Sequence, residues 1–293
     1  MDDSSPSEPS SDSPREPDEP ATIDVGDRPL VEPIPGEPAA TAPIGGDLAL
    51  LIADYHAGYE PALRYERGVD VPSRATDRRE RLLALLERTG ADRLVVCGDL
   101  MHSIGDPGGT ERGELEVLFD SLPASLSVTV VKGNHDGGIG DWLATEADIP
   151  AERLPEIDVV PGAGVALDRI GVCHGHTWPA ADALECDVLC LGHEHPCVRL
   201  EDEVGGSRVE RVWLRGRADP GPFRPRPEYE ALPWLAGERP PRIVVLPAFN
   251  DLVGGTWVNL PEQSFLSPFL PAGLTEGETY LLDGTRLGPY RSV

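Results

Sequence analysis

Lysine is almost absent: Lys132 is the only one in 293 residues, and arginine supplies the rest of the 25 basic side chains. Against them stand 51 acidic residues, for a formal net charge of −26. A partner gripped through generic phosphate contacts needs clustered Lys and Arg, so that class is disfavoured. At about 1 M salt the Debye length falls to roughly 3 Å and such contacts are screened anyway, so nucleic acid stays open as a substrate. The same self-repulsion strains a compact chain in dilute buffer but keeps it soluble in brine, which points to the high-salt cytoplasm of a halophilic archaeon.

Long apolar runs are missing as well. No uninterrupted run approaches the roughly 18 residues a span needs, and no basic segment leads into an apolar one, so neither membrane insertion nor secretion is expected. The expected location is cytoplasmic. Cysteine is scarce and odd in number, at Cys97, Cys173, Cys186, Cys190 and Cys197, four of them in or beside apolar runs. Buried free thiols in a reducing compartment follow. Cys186, Cys190 and Cys197 are irregularly spaced and lack a fourth partner, which argues against a small thiolate site.

Histidine is rare too, with seven residues, yet none is scattered. All lie in five short blocks: Asp54-Tyr55-His56, Gly98-Asp99-Leu100-Met101-His102, Gly133-Asn134-His135-Asp136, His174-Gly175-His176 and Gly192-His193-Glu194-His195. Each block ends an apolar run of strand length: Leu48 to Ala53, Leu94 to Cys97, Val128 to Val131, Ile170 to Cys173 and Val188 to Leu191. Between the runs, Ser73 to Thr89 has the spacing of an amphipathic helix with Leu82, Leu83, Leu85 and Leu86 on one side. Thr110 to Leu122 reads as a second helix, with Thr110 as its N-cap and Leu115, Leu118, Phe119 and Leu122 facing the core. Strand and helix alternate, so part of the sheet should be parallel.

The ends of the chain read differently. Residues 1–22 are Ser, Pro, Asp and Glu with almost nothing to bury, so 1–27 is expected to be a disordered acidic tail and 28–293 the ordered domain. Leu30, Val31 and Ile34 give the first apolar anchors. After His195 come shorter strands, at Cys197 to Leu200, Val209 to Leu214, Ile243 to Leu246 and Thr256 to Asn259. The stretch 217–241, rich in Pro and Arg, is expected to be a surface excursion.

In open α/β sheets, ligands gather at the carboxyl edges of the strands. Five runs ending in five polar blocks would deliver Asp54, His56, Asp99, Asn134, His174, His193 and His195 to one rim. Imidazole, carboxylate and one amide, with no thiolate, suit manganese, iron or zinc. Seven donors exceed what one ion needs, and two ions sharing Asp99 use them all. Two divalent cations outweigh Asp54, Asp99 and a bridging hydroxide by one charge, which favours an anionic substrate such as a phosphate ester.

The blocks, in this order, resemble the calcineurin-like metallophosphoesterase superfamily, whose pattern runs Asp-x-His, Gly-Asp, Gly-Asn-His-Asp, His and Gly-His-x-His. Tyr59-Glu60, Gly-Asp-x-x-His in the second block, the closing His-Pro and Leu246-Pro247-Ala248-Phe249-Asn250 are similar to the archaeal SbcD-related branch, which also resembles phosphoesterases linked to DNA ligase. The resemblance implies a four-layer α/β/β/α sandwich of two mixed sheets. It implies two divalent cations, manganese ahead of iron or zinc, one on Asp54, His56, Asp99 and His195 and the other on Asp99, Asn134, His174 and His193. It also implies phosphodiester hydrolysis by a metal-bridging hydroxide, on DNA or a nucleotide. His135, steadied by Asp136, would protonate the leaving oxygen or stabilise the transition state. His102 would contact substrate, and His176 would face phosphate or support a ligand. Glu194 and Tyr55 should point to the opposite strand face, Arg64, Arg67 and Lys132 should form surface salt bridges, and Asn250 is a rim residue by resemblance. A phosphomonoesterase on the same scaffold and a non-catalytic metal-bound scaffold are the rival readings. Nothing in the chain names a protein partner or an oligomeric state.

Overall fold

A computed structural model describes residues 29–202 and 205–293; the expected tail, 1–27, lies outside the described residues. The first sheet runs in sequence order: β1 (Glu32–Pro33), β2 (Ala40–Ile44), β3 (Asp47–Ile52), β4 (Arg93–Val96), β5 (Ser127–Val131) and β6 (Glu156–Val160). β1 to β3 are antiparallel, and β3 to β6 are parallel.

The second sheet is built from β7 (Val165–Leu167), β8 (Ile170–Val172), β9 (Val188–Leu191), β10 (Cys197–Glu201), β11 (Ser207–Ala218), β12 (Arg242–Val245), β13 (Leu274–Leu281) and β14 (Arg286–Pro289). Its order is β14-β13-β11-β12-β9-β8-β7, with β10 on β11. Here β8, β9 and β12 are mutually parallel and the other pairings antiparallel. The helices are α1 (Tyr59–Arg67), α2 (Ala75–Thr89), α3 (Gly109–Ser121), α4 (Ile139–Thr145) and α5 (Ala181–Glu185).

Side-chain alternation along the strands assigns the layers. On β3, Leu50 and Ile52 join Leu82, Leu85, Leu115, Leu118 and Trp142 in a core beneath α2, α3 and α4. Ala49, Leu51 and Ala53 face the other way, onto Ile170, Val172, Cys190, Trp213 and Val244 of the second sheet. Small residues on the inner face let the two sheets approach. The α/β/β/α sandwich is therefore present, with a thin fourth layer.

That fourth layer corrects one expectation. Residues 217–241 are not a surface excursion alone: Phe223, Tyr229, Leu232 and Trp234 are buried and fill the outer core of the second sheet with Leu189, Val212 and Ile243. The Tyr229 hydroxyl donates to the Pro179 carbonyl and the Trp234 indole to that of Leu184, so both rings enter the core with their polar atoms satisfied.

Two more expectations fall. Thr256 to Asn259 forms no strand; its one sheet-like contact is a bridge from Trp257 to Cys197. Thr256 instead gives its hydroxyl to Glu194. Thr110 does not cap α3, which starts after Gly108 with no side-chain cap, and its buried face carries Glu111 and Glu114 beside Leu115, Leu118 and Phe119.

Candidate metal centre

The parallel strands β3, β4 and β5 end at one edge, and β8 and β9 end at the facing edge of the other sheet. Past their ends the chain keeps pairing: His56 N donates to Asp99 O, Ala57 N to Leu100 O, and Gly192 N to His174 O. The segment after β12 crosses between sheets, with Phe249 N and Asn250 N donating to Ala53 O and Asp54 O. All five blocks thereby meet along the seam.

Their backbone is unusual. Seven described non-glycine residues have a left-handed φ, and five of them are Asp54 (57°), His56 (48°), Asp99 (50°), His193 (68°) and His195 (44°). Such conformations cost of order 1–3 kcal/mol each and persist where surrounding contacts over-determine them. Here each one turns a donor side chain toward the seam.

The donors converge in three sets, each with its ligand atoms mutually within 4.8 Å: Asp54, His56 and His195; Asp99, His174 and His193; and His56, His102 and His135. Asp99 joins them. Its Oδ2 lies 3.3 Å from His174 Nε2, 3.7 Å from His56 Nε2 and 3.9 Å from His135 Nε2. Asn134, exposed at the rim, brings its Oδ1 to 3.1 Å from His174 Nε2.

These residues fit divalent cations on three counts. Asp54 and Asp99 are buried, and among the described residues their ion-pair partners are histidines alone, with no Lys or Arg. A buried carboxylate needs a cation or a dense set of donors. His174 Nδ1 and His195 Nδ1 face the carbonyls of Cys97 (3.0 Å) and Gly254 (2.7 Å), so each donates there and aims Nε2 at the seam, the nitrogen that a cation would take in place of a proton. His195 Nε2 lies 3.2 Å from Asp54 Oδ1 and 3.4 Å from His56 Nε2, so three donor atoms converge on one point, where a cation would replace the proton that His195 shares with Asp54.

Charge follows burial and neighbours. Burial holds His56 neutral down to about 3, and burial with the adjacent His174 holds His193 down to about 4. His174 goes the other way: burial opposes its charge, but the Asp99 hydrogen bond and charge raise it to about 9. Burial would raise the Asp99 carboxyl, yet His174, His56 and His135 hold it well below the usual range.

His102 and His135 stack with centroids 5.2 Å apart, each presenting its edge to His56. His135 departs from the expected support. Its Nδ1 donates to the His102 carbonyl and not to Asp136. Asp136, fully buried, accepts instead from the amides of Leu100, Met101 and Gly133 at 3.2, 2.8 and 2.8 Å, locking two blocks together. His176 is half-buried beside His174 and His193, and its Nδ1 has no partner.

Glu194 and Tyr55 do face away, and both are fully buried. Glu194 anchors residues 256–267 through Thr256, Leu266 and Ser267, while Tyr55 stacks on Phe249. Asn250 is a buried prop, not a rim residue, donating to the carbonyls of Tyr55 and His56. Arg64 pairs with Asp70 on the surface, but Lys132 donates to the Gly137 carbonyl rather than to an acid. The sequence reading missed Arg78, Glu111 and Glu114 and gave Glu60, quoted only for the resemblance, no role; all four are charged residues buried on α1, α2 and α3 behind the first two blocks. Their only signal was acids and an arginine at positions where helical spacing demands apolar residues.

The model of the calcineurin-like phosphoesterase superfamily domain matches residues 48–214, more than half of the chain. The chain belongs to that superfamily. Among solved structures this phosphoesterase is similar to the nuclease MPE of Pseudomonas putida, at 20% identity and a TM-score of 0.51 over 88% of this chain and 100% of that one. It also matches Yfce, a phosphoesterase from E. coli, at 21% identity and a TM-score of 0.32 over 53% of this chain and 73% of that one. No curated protein matches it. Among the described residues of the phosphoesterase, no helix is long and apolar enough to cross a membrane.

Proposed function

We propose that this phosphoesterase hydrolyses phosphodiester bonds, in DNA or a nucleotide, with two divalent cations, manganese ahead of iron or zinc, and that residues 28–293 act as one domain. The reading carries with it the SbcD-related branch and a salt-rich cytoplasm as the setting. The observation behind it is the meeting of two donor sets at Asp99 Oδ2 with a stacked histidine pair on their open side.

In this reading Asp54, His56 and His195 hold one cation, Asn134, His174 and His193 the other, and Asp99 both. When bound, such a pair supplies Lewis acidity toward the phosphoryl oxygens and acidifies coordinated water. The chain's own contribution begins with position: Asp54 and Asp99 are each pinned by a backbone amide, His193 N on Asp54 and His135 N on Asp99. His135, with Nδ1–H committed to the His102 carbonyl, has only Nε2 left to hold or release a proton at a leaving oxygen. His102, beside it, can meet the second substituent that a diester has and a monoester lacks. The nuclease named among the structural neighbours agrees with this preference.

The test is turnover of bis-p-nitrophenyl phosphate, p-nitrophenyl phosphate and single-stranded DNA in molar salt with added manganese. Diester cleavage abolished by Asp99→Ala or His135→Ala, in protein that binds two equivalents of metal, supports the proposal. Cleavage of the monoester alone would favour the phosphatase reading. Binding of DNA with no hydrolysis of any ester would favour the scaffold.

A further inference from the structure

Four consecutive backbone amides, from Leu100 to Ser103, end on two buried carboxylates. Leu100 N and Met101 N go to Asp136, while His102 N and Ser103 N go to a single oxygen of Glu111, Oε1, at 2.7 and 2.8 Å. Asp136 comes from the third histidine block, but Glu111 comes from the first turn of α3, outside all five.

Glu111 is built into this place. It is 4% exposed, and a Cβ on Gly58 would lie 2.6 Å from its own, so the start of α1 seats directly against it. Its neighbour one turn on, Glu114, accepts Gly58 N and, with Glu60, holds Arg78. α1, α2 and α3 are thereby fixed together behind the loop that begins at His102.

The consequence runs forward to the proton-bearing nitrogen. Residues 103 to 108 form neither helix nor strand, and Glu111 is the side chain that accepts the two amides at the start of that loop. The carbonyl of His102 lies in the same short stretch and accepts His135 Nδ1–H, fixing the tautomer that turns Nε2 toward Asp99. A shift of His102 would release His135 Nδ1 and with it the choice of tautomer.

We propose that Glu111 is a positioning residue of this phosphoesterase, holding His102 so that its carbonyl sets the tautomer and aim of His135. This rests on the assignment of His135 as the proton-handling group. Reach matters as well as charge, because both amides converge on one oxygen and need an acceptor at that distance.

The test compares Glu111→Ala, Glu111→Asp and Glu111→Gln in the full chain. The readouts are the imidazole nitrogen-15 shifts of His135 in metal-free protein, bound metal, thermal midpoint, kcat and KM. Alanine removes the acceptor, and aspartate keeps the charge but falls short by one methylene. Both should mix the His135 tautomers and, since about 1 Å of misplacement can cost on the order of 100-fold in rate, lower kcat by about that factor with KM and bound metal retained. Glutamine keeps an oxygen at the same reach and should recover most of both signals. If the alanine variant does not fold, the aspartate and glutamine pair still decides.

Unchanged His135 shifts and kcat in a variant with a lowered midpoint would make Glu111 merely structural and overturn the inference. His135→Ala serves as the reference: wild-type turnover in that variant would remove the underlying assignment, while the nitrogen shifts would still report whether Glu111 controls the tautomer.

Discussion

A Cβ added to Gly133 would lie 1.9 Å from Oδ1 of Asp99, with the Asp99 amide nitrogen at 2.3 Å. Glycine is required there because the backbone of the third block passes directly over the carboxylate of the second. Gly133→Ala must therefore push Asp99 out of place. By the scale of supporting contacts at metal sites, bound metal and activity should fall about 10–100-fold, measured by metal content after dialysis and by diester turnover. Gly137→Ala is the control, because nothing lies within 4 Å of its Cβ.

Asp136 is expected to act on the fold of the site and not on the chemistry directly. Its three amide bonds are of the charged kind, worth about 1.5–3 kcal/mol each, and Gly133, Leu100 and Met101 have no other acceptor for those N–H groups among the described residues. Asp136→Ala should lower unfolding stability by several kcal/mol in denaturant titration. Asp136→Asn, keeping one acceptor oxygen, should lose less. A stable alanine variant that loses only turnover would return Asp136 to direct support of His135.

Metal-free protein should be most stable near pH 6.5. That is the ordinary histidine value, from which His56 and His193 are lowered to about 3 and about 4, and His174 is raised to about 9. Between about 4 and 6.5 the unfolded chain binds more protons at His56 and His193, so stability rises with pH. Between 6.5 and about 9 the folded chain binds more at His174, so stability falls. Denaturant midpoints of chelator-treated protein across this range, at constant molar salt, measure both limbs. A steady rise through pH 8 would contradict the assignment to His174.

Salt should stabilise the protein well beyond the range where ordinary surface pairs respond. With a net charge of −26, raising salt from about 0.1 M to 1 M shortens the Debye length from about 10 Å to 3 Å and screens the repulsion. The thermal midpoint should climb across that interval. A flat or falling response would remove the case for a brine-adapted chain.

The legible part of this molecule was its parallel core. Each of the five apolar runs is a strand within one residue of its expected ends, because strands buried on both faces read as continuous apolar stretches. The blocks behind them were legible because imidazoles have few other reasons to follow strands. The hairpin of β13 and β14 was not, although Asp283-Gly284 sits at its turn; its strands are half-exposed and mix Thr, Glu and Gly. Residues 217–241 misled through their prolines and arginines, while Phe223, Tyr229 and Trp234, spaced too irregularly for any helix or strand, carried the packing. Glu111 was hidden because a lone acid in the first turn of a helix ordinarily serves the helix dipole at the surface.

Asp54, Asp99 and Asn134 come from one sheet, and His174, His193 and His195 from the other, so ions seated among them would act as rivets through a laminate. Stripping them should do more than silence the enzyme: amide exchange along the inner faces of β3 and β9 would quicken together as the two plates part. Vulnerability to chelators and mechanical cohesion would then be one property of this molecule.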